Sequence, residues 1–474
     1  MTELERKINN LVEDYQENLI LAKSIGFPEV AYEGTTATSE DIAIGKTAYS
    51  NGKLITGTSE SAKYNAVINT ALKTGTSSYS RILENIEYLP DTYTISGDAS
   101  YLFKNLTGLK RIGKLIATNI TNVSYMFGSC SKLEEIPLVD TSNITNINYM
   151  CYGCSTAKSI PQFNFSKVTN AQCAFQGCRS LENIPELTLA PNCDTMNMFA
   201  YTGIKRIPKL NYTDLNNLYF TFQDCAELEI IEDWDVGNLK SFQDTFYRCT
   251  KLTSVGHITG NALTKFNNVF ASCTALKSFG GLTAPLCTGF SAVFRWCTNF
   301  TSCADLDLPA CTTFSEAFRD TNLIHAPKII APNCTNIYEM FDSCDNLETA
   351  QDLDMPLLTN AERVFTGCKK LVVAPNINAP LVTNARYIFS GCTALQDVPE
   401  YNFPNLTNIQ LMFNECPNLT GTSLNNIMGM LLKLTNYTST KTLKTVGLTS
   451  AQATVCQSLS NWTALSAAGW TTGY

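Results

Sequence analysis

Residues 382–399, VTNARYIFSGCTALQDVP, repeat a phrase that stands a short way upstream at 358–375 as LTNAERVFTGCKKLVVAP. In both, a phenylalanine (Phe389, Phe365) is followed three residues later by a cysteine (Cys392, Cys368). Aligned on that aromatic anchor, the chain gives Phe103, Phe127, Cys151, Phe175, Phe199, Phe222, Phe246, Phe270, Phe294, Phe318, Phe341, Phe365, Phe389 and Phe413. The interval is 24 residues except for two of 23, after Phe199 and after Phe318. A period of this length marks a stacked-repeat architecture, in which each copy buries its apolar face against its neighbours.

Eleven of the fourteen anchors have cysteine at the third following position, from Cys130 to Cys416. The exceptions are the first copy, with Leu106, and the two shortened copies, with Thr202 and Thr321. Past the first copy, then, the residue changes only where its loop contracts, which is how packing material behaves. A catalytic or ligating cysteine has no reason to follow loop length.

Two periods alternate within each copy. Around the anchor, Ala385, Ile388, Phe389 and Cys392 fall at i, i+3, i+4 and i+7, a helical spacing. Twelve and fourteen residues past the anchor stand apolar pairs such as Leu187/Leu189, Trp234/Val236, Leu306/Leu308, Leu353/Met355 and Tyr401/Phe403, flanked by polar residues, a strand spacing. The expected fold is an α/β solenoid of about fourteen strand–helix repeats of 23–24 residues over 101–423, its strands paired in parallel.

The phrase MF-x-x-C-x-x-L (Met126-Phe127, Cys130, Leu133; Met340-Phe341, Cys344, Leu347) and its period resemble the BspA-like leucine-rich repeats. Cys151 in place of an anchor phenylalanine departs from that pattern. The resemblance implies attachment and recognition more often than catalysis. It occurs in bacterial and protist surface proteins and in bacteriophage structural proteins.

The flanks are read separately. Leu4, Ile8, Leu11, Tyr15, Asn18/Leu19, Ala22 and Ile25 outline a helix over 1–27, either a short coiled coil with Asn18 in its seam or a single helix lying on another protein. Residues 28–60 contain KTAYS and KLITGT around Asn51-Gly52, a hairpin signal. Asp41, Ile42, Gly45, Lys46, Ala48, Gly52, Ile55, Gly57 and Thr58 resemble a small connector module of bacteriophage tail and fibre proteins. Residues 61–100 read as an N-terminal cap with a helix near Ser80–Tyr88 and a strand TYTIS. Residues 424–474 read as the opposite cap: a helix around Leu424–Leu434, a strand KTLKTV, and a helix opened by Thr449 or Ser450 running toward Trp470.

Charged residues make up 16% of the chain and the net charge is −8, which argues against a nucleic-acid partner. No apolar run is long enough for a membrane span, and the opening residues carry no secretory pattern, so the chain is expected to fold in the cytoplasm. The histidines, His257 and His325, assemble no catalytic set and read as surface residues, and Cys151-Tyr-Gly-Cys154 lacks a complementary pair for zinc. Cys193, Cys287, Cys311 and Cys334 read as small core residues. No enzyme activity, cofactor or metal is expected.

The candidate receptor-facing ladder is the polar side of the strands: Glu186, Asp233, Asp235, His257, Asp305, Asp307, Asp352, Asp354, Glu400 and Asn402. Carboxylates at i and i+2 of a strand point to one face, about 7 Å apart. The chain is therefore expected to be a non-enzymatic virion protein of tail-fibre, baseplate or head-fibre type, a homo-oligomer with a trimer among the options. Other virion proteins would hold its N-terminal region, and its solenoid would meet a host-surface glycan or protein. A secreted BspA-type adhesin and a purely structural decoration protein are the alternatives.

Overall fold

The structure, a computed structural model, describes residues 87–89 and 92–474. The chain divides into two compact units, Met1–Thr188 and Leu189–Tyr474. The expected N-terminal helix, the hairpin connector and nearly all of the expected Ser80–Tyr88 helix lie outside the described residues. Tyr88 itself forms a parallel bridge to Arg111.

The anchor segment is not an α-helix. Between Ala385 and Cys392 the amides alternate between two destinations. Ala385, Tyr387, Phe389 and Gly391 donate to the next rung, at the carbonyls of Asn408, Gln410, Met412 and Asn414 (2.8–3.0 Å). Ile388, Ser390 and Cys392 donate three residues back, to Ala385, Tyr387 and Phe389. The result is a ribbon of successive turns whose alternate amides tie it to its neighbour. Such a path needs left-handed residues two before and two after the anchor, and Tyr387 (φ 57°) and Gly391 (φ 77°) supply them.

The helical spacing misled for a definable reason. Ala385, Ile388, Phe389 and Cys392 are all fully buried, as a helix would bury them, so the apolar pattern is common to both conformations. Glycine at Gly153, Gly177, Gly367 and Gly391, all left-handed, was the local sign of a different backbone. Elsewhere the same positions are held by Asn105, Ser129, Asp224 and Ser272, also left-handed. Each such non-glycine residue costs roughly 1 kcal/mol or more.

The anchors stack behind this ribbon. Phe341, Phe365, Phe389 and Phe413 form a file with ring centroids 5.4–5.7 Å apart and nearly parallel planes. In the first unit Phe103 stacks on Phe127 at 5.5 Å. The cysteines do more than fill space. The Cys392 thiol donates to the Phe365 carbonyl at 3.0 Å, and Cys130, Cys154, Cys249 and Cys416 make the equivalent bond. In the shortened copies the Thr202 and Thr321 hydroxyls donate instead to Phe199 and Phe318 at 2.7 and 2.8 Å. Burial pushes the Cys392 and Cys368 thiols well above the usual range, which leaves them poor nucleophiles.

A second column of bonds lies five residues before the anchor. Asn336, Asn360, Asn384 and Asn408 are joined by parallel bridges. Each Oδ1 accepts from the amide two residues on, and the Asn360 and Asn384 Nδ2 groups donate to Asn336 and Asn360. The side chain thus satisfies both its own turn and its neighbour.

The strands are short and parallel, as expected. In the first unit β1 (Thr92–Ser96, the expected TYTIS strand) pairs with β2 (Lys114–Thr118). In the second unit β3 (Ile230–Ile231), β5 (Ser254–Val255), β7 (Ser278–Phe279) and β9 (Ser302–Cys303) form one sheet. A neighbouring sheet contains β4 (Trp234–Asp235), β6 (Ile258–Thr259) and β8 (Leu282–Thr283). Pairs β10 (Leu306–Asp307) with β11 (Ile329–Ile330), and β12 (Leu353–Asp354) with β13 (Ile377–Asn378), complete the described strands.

Within the first of these sheets, a further bond comes from one position, ten residues past the anchor. There Gly256, Gly280 and Ala304 donate their amides to Ile231, Val255 and Phe279 of the preceding rung. Pro137, Pro161, Pro185 and Pro375 occupy that position elsewhere and have no amide to give.

The C-terminal segment closes the last rung. Helices α1 (Gly421–Leu432), α2 (Leu443–Val446), α3 (Ser450–Cys456) and α4 (Trp462–Ala467) are the α-helices among the described residues. The KTLKTV stretch, expected as a strand, is largely α2: Thr442 caps it and left-handed Gly447 ends it. Its carbonyls at Thr445 and Val446 accept from Leu411 and Phe413, which have no further rung to bond. Of the two expected openings, Thr449 or Ser450, Thr449 caps α3, through a capping box with Gln452, but the chain turns before α4, so two helices stand where one was expected.

Backbone handedness gives a direct test. Gly391→Ala meets nothing closer than 3.5 Å, so its cost is conformational and should be about 1 kcal/mol. Ser272→Gly at the same position of another copy should stabilise by a similar amount, about 1 kcal/mol. Denaturant midpoints of the two variants should shift in opposite directions.

Candidate binding surface

Alternation along the strands fixes which side chains face out. Glu186, Asp233, Asp235, Asp305, Asp307, Asp352, Asp354, Glu400 and Asn402 are exposed, and His257 is half-buried. Glu186 lies in the first unit and the other nine in the second. Their apolar partners Leu306, Leu308, Leu353, Met355, Tyr401 and Phe403 are buried.

Most of the ladder acids also hold the scaffold. Asp233 Oδ1 accepts from the His257 amide (2.7 Å), Asp305 Oδ1 from the Lys328 amide (2.9 Å) and Asp352 Oδ1 from the Asn376 amide (2.9 Å). Each caps the next rung. Asp235 accepts from Gly237 N and Asp354 from Asn378 Nδ2. Glu400 pairs with Lys433, which caps the C-terminal end of α1, at 2.7 Å. Asp307 makes no hydrogen bond or ion pair among the described residues, so its carboxylate is wholly available.

His257 lies over the neighbouring rung, where Gly281 leaves room: a Cβ there would stand 2.9 Å from the ring Nδ1. Nδ1 is 3.3 Å from the Gly280 carbonyl and Nε2 is 2.8 Å from the Thr283 hydroxyl. Because a carbonyl only accepts, Nδ1 carries a proton in this arrangement. His325 is exposed and bonds Thr349 Oγ1 at 2.8 Å. Each ring therefore meets a threonine hydroxyl, and among the described residues no carboxylate is bonded to either ring.

The sequence reading passed over a second charged surface, on the turn ribbon of the second unit. Arg319 contacts Glu316 and Glu339, with Asp320 at 3.3 Å and Asp342 at 3.6 Å. Arg295 reaches Glu316 at 2.9 Å, and Arg363 reaches Glu339 at 3.6 Å. The Arg386 and Arg363 guanidinium groups lie 4.6 and 5.2 Å from the Tyr387 ring centroid, and Arg295 lies 4.1 Å from that of Trp296. These residues differ from copy to copy, so a search for repeated features removes them. Glu339 and Asp342 are buried beneath the arginines.

Burial and the neighbouring Glu339 charge push the Asp342 carboxyl from its ordinary 3.8 up to about 6, against the pull of Arg319. A hydrogen bond to Glu339 raises the Tyr338 phenol to about 12.

Among the described residues, no group of three or more His, Cys, Asp or Glu is arranged to hold a metal, and no helix is long and apolar enough to cross a membrane. Cys151 and Cys154 are both buried, and the Cys154 thiol is raised first by its bond to Cys151 and then by burial, the opposite of a redox CxxC.

Asp342 gives a pH signature. A carboxyl raised in the folded state contributes stability that is present below its unfolded value and lost as pH rises through about 6. Asp342→Asn should therefore gain stability over the native chain between about pH 4 and pH 7. Melting temperatures of both across that range measure the difference.

No curated protein sequence matches the chain. A leucine-rich repeat protein from Bacteroides ovatus is similar over 64% of this chain and 81% of its own, at 18% identity and a TM-score of 0.38. A leucine-rich cell surface protein from Faecalibacterium prausnitzii is similar over 63% and 81%, at 17% identity and a TM-score of 0.31. An internalin from Listeria monocytogenes is similar over 79% and 87%, at 14% identity and a TM-score of 0.21. One family profile matches residues 97–206, 192–281, 213–328 and 335–428, well over half the sequence, and the chain belongs to that family, described as Mycoplasma protein of unknown function, DUF285.

Proposed function

We propose that this chain is a non-enzymatic binding protein whose second unit presents the polar strand ladder to a ligand. The observation that carries this reading is the exposed Asp307 carboxylate, without a hydrogen bond or ion pair among the described residues, two residues on from Asp305, whose carboxylate is fixed by the Lys328 amide. Acceptors held this way lose little conformational freedom on binding, which favours recognition of hydroxyl- or amine-bearing surfaces. The ligand class that fits is a cell-surface glycan or protein. Residues that raise scaffold rigidity and residues that meet the ligand are then partly the same.

The finer reading is attachment to a virion through residues 1–60, supported by the connector pattern around Asp41–Thr58. A BspA-type surface adhesin uses the same ladder with a different anchor. Antibody labelling of intact particles and of intact cells separates these two settings.

Asp307→Lys tests the ladder without removing a scaffold bond. Binding of the purified chain to a glycan array and to bacterial cells should fall about tenfold, the loss of one charge-assisted contact, while the melting temperature stays within a degree or two. Unchanged binding to a surface that the native chain does bind would remove the ladder as the binding face.

A further inference from the structure

The left-handed position two residues before the anchor is tyrosine in three successive rungs of the first unit: Tyr101, Tyr125 and Tyr149, with φ between 55° and 63°. A shared main-chain conformation sends the three side chains off the ribbon in one direction, and their rings stack. Centroids lie 5.0 Å apart for Tyr101 and Tyr125 and 4.5 Å apart for Tyr125 and Tyr149, with planes 7° and 4° from parallel. The anchors Phe103 and Phe127 stack at 5.5 Å but are fully buried and carry no hydroxyl. The tyrosines reach solvent: Tyr101 is 45% exposed, and Tyr125 and Tyr149 are half-buried.

The file is held at both ends. The Lys104 ammonium lies 5.0 and 4.4 Å from the Tyr101 and Tyr125 ring centroids. Tyr152 packs edge-on against Tyr149 at 5.5 Å. Burial, and after it the neighbouring Tyr101, push the Tyr125 phenol up, and a hydrogen bond with the Cys173 thiol raises the Tyr149 phenol to about 12. Both phenols are therefore protonated at neutral pH, so an electron leaves either ring together with its hydroxyl proton.

Two phenols held face to face are placed for a reaction that separate tyrosines reach only by diffusion. We infer that Tyr125 and Tyr149, the closer pair, form an oxidative cross-linking site, at which a haem peroxidase and hydrogen peroxide join neighbouring rungs through a dityrosine bond. Each phenol gives one electron and its hydroxyl proton, leaving two phenoxyl radicals with spin on the carbons ortho to oxygen. Those carbons join, their two hydrogens leave as protons, and the oxygens are reprotonated to phenols. The net change is two hydrogen atoms lost, which reduce one peroxide to two waters. The rings must tilt out of the stack as the bond forms, which half-buried side chains on the ribbon surface permit. The product ties one repeat covalently to the next, a restraint on the unfolded chain. This site is separate from the acidic ladder proposed above.

The test treats the full chain with a haem peroxidase and hydrogen peroxide and maps the products by mass after trypsin. Trypsin releases 115–132, whose single tyrosine is Tyr125, and 133–158, which holds Tyr149 and Tyr152. The two segments should be recovered joined and two hydrogens lighter than their sum, in a yield that does not fall when the chain is diluted. Oxidation in denaturant should lower that yield by about tenfold or more, because the stack is then lost. Tyr149→Phe, which keeps a ring in the stack, should abolish the joined product, and Tyr152→Phe should leave it. Absence of the joined product, a yield that falls on dilution, an equal yield in denaturant, or survival of the product in Tyr149→Phe would each overturn the proposal.

Discussion

Everything in this scaffold depends on the amide that leaves the turn ribbon. In an α-helix all amides point along one axis and are used within the segment. Here every second amide points out of the ribbon toward the next rung, and the rest close tight turns. That division requires left-handed residues at fixed places, and the chain accepts them even as tyrosine, arginine and glutamate. The cost of those conformations is offset by inter-rung bonds, by the stacked phenylalanines and by thiol or hydroxyl donors on the anchor carbonyls. No single rung has this arrangement without a neighbour, so stability is a property of the stack.

How much of this was legible in the sequence depends on what each pattern can encode. The 24-residue period, the parallel pairing, the buried faces and the packing role of cysteine could all be read, because they follow from which residues are apolar. The backbone of the anchor segment could not, because Ala385, Ile388, Phe389 and Cys392 are buried identically in a helix and in a turn ribbon. The KTLKTV stretch failed for another reason: its β-forming composition yields to Thr442 and Gly447, which cap a short helix at the point where the last rung needs acceptors. The proline position was visible throughout, but its meaning appears only when the donors of Gly256, Gly280 and Ala304 are seen at the same place.

The candidate ladder was legible as a set of outward residues and not as a set of equivalent ones. Asp233, Asp305 and Asp352 bind the next rung's amides, while Asp307 binds nothing, and sequence alternation gives all four the same standing. The arginine and carboxylate network around Glu339 was invisible for the opposite reason. It is a local departure from the repeat, and periodicity favours what recurs. The two charged surfaces therefore differ in kind: one is a regular file attached to the sheet, the other an irregular cluster set into the ribbon.

The left-handed position two residues before each anchor has a consequence for how such chains diversify. In the second unit it holds Asn197, Phe220, Asp244, Asn268, Ala292, Glu316, Glu339, Arg363, Tyr387 and Leu411, with φ between 52° and 58° throughout. The main chain there is dictated by bonds that involve no side chain, so the residue is free to be aromatic, acidic, basic or aliphatic. The column works as a display rack: the geometry is inherited and the chemistry is interchangeable. Two chains with the same skeleton can present unrelated chemistry along this column after a handful of substitutions at its half-buried positions, while Asp244, Ala292 and Glu339 are buried and tie their positions to the packing around them.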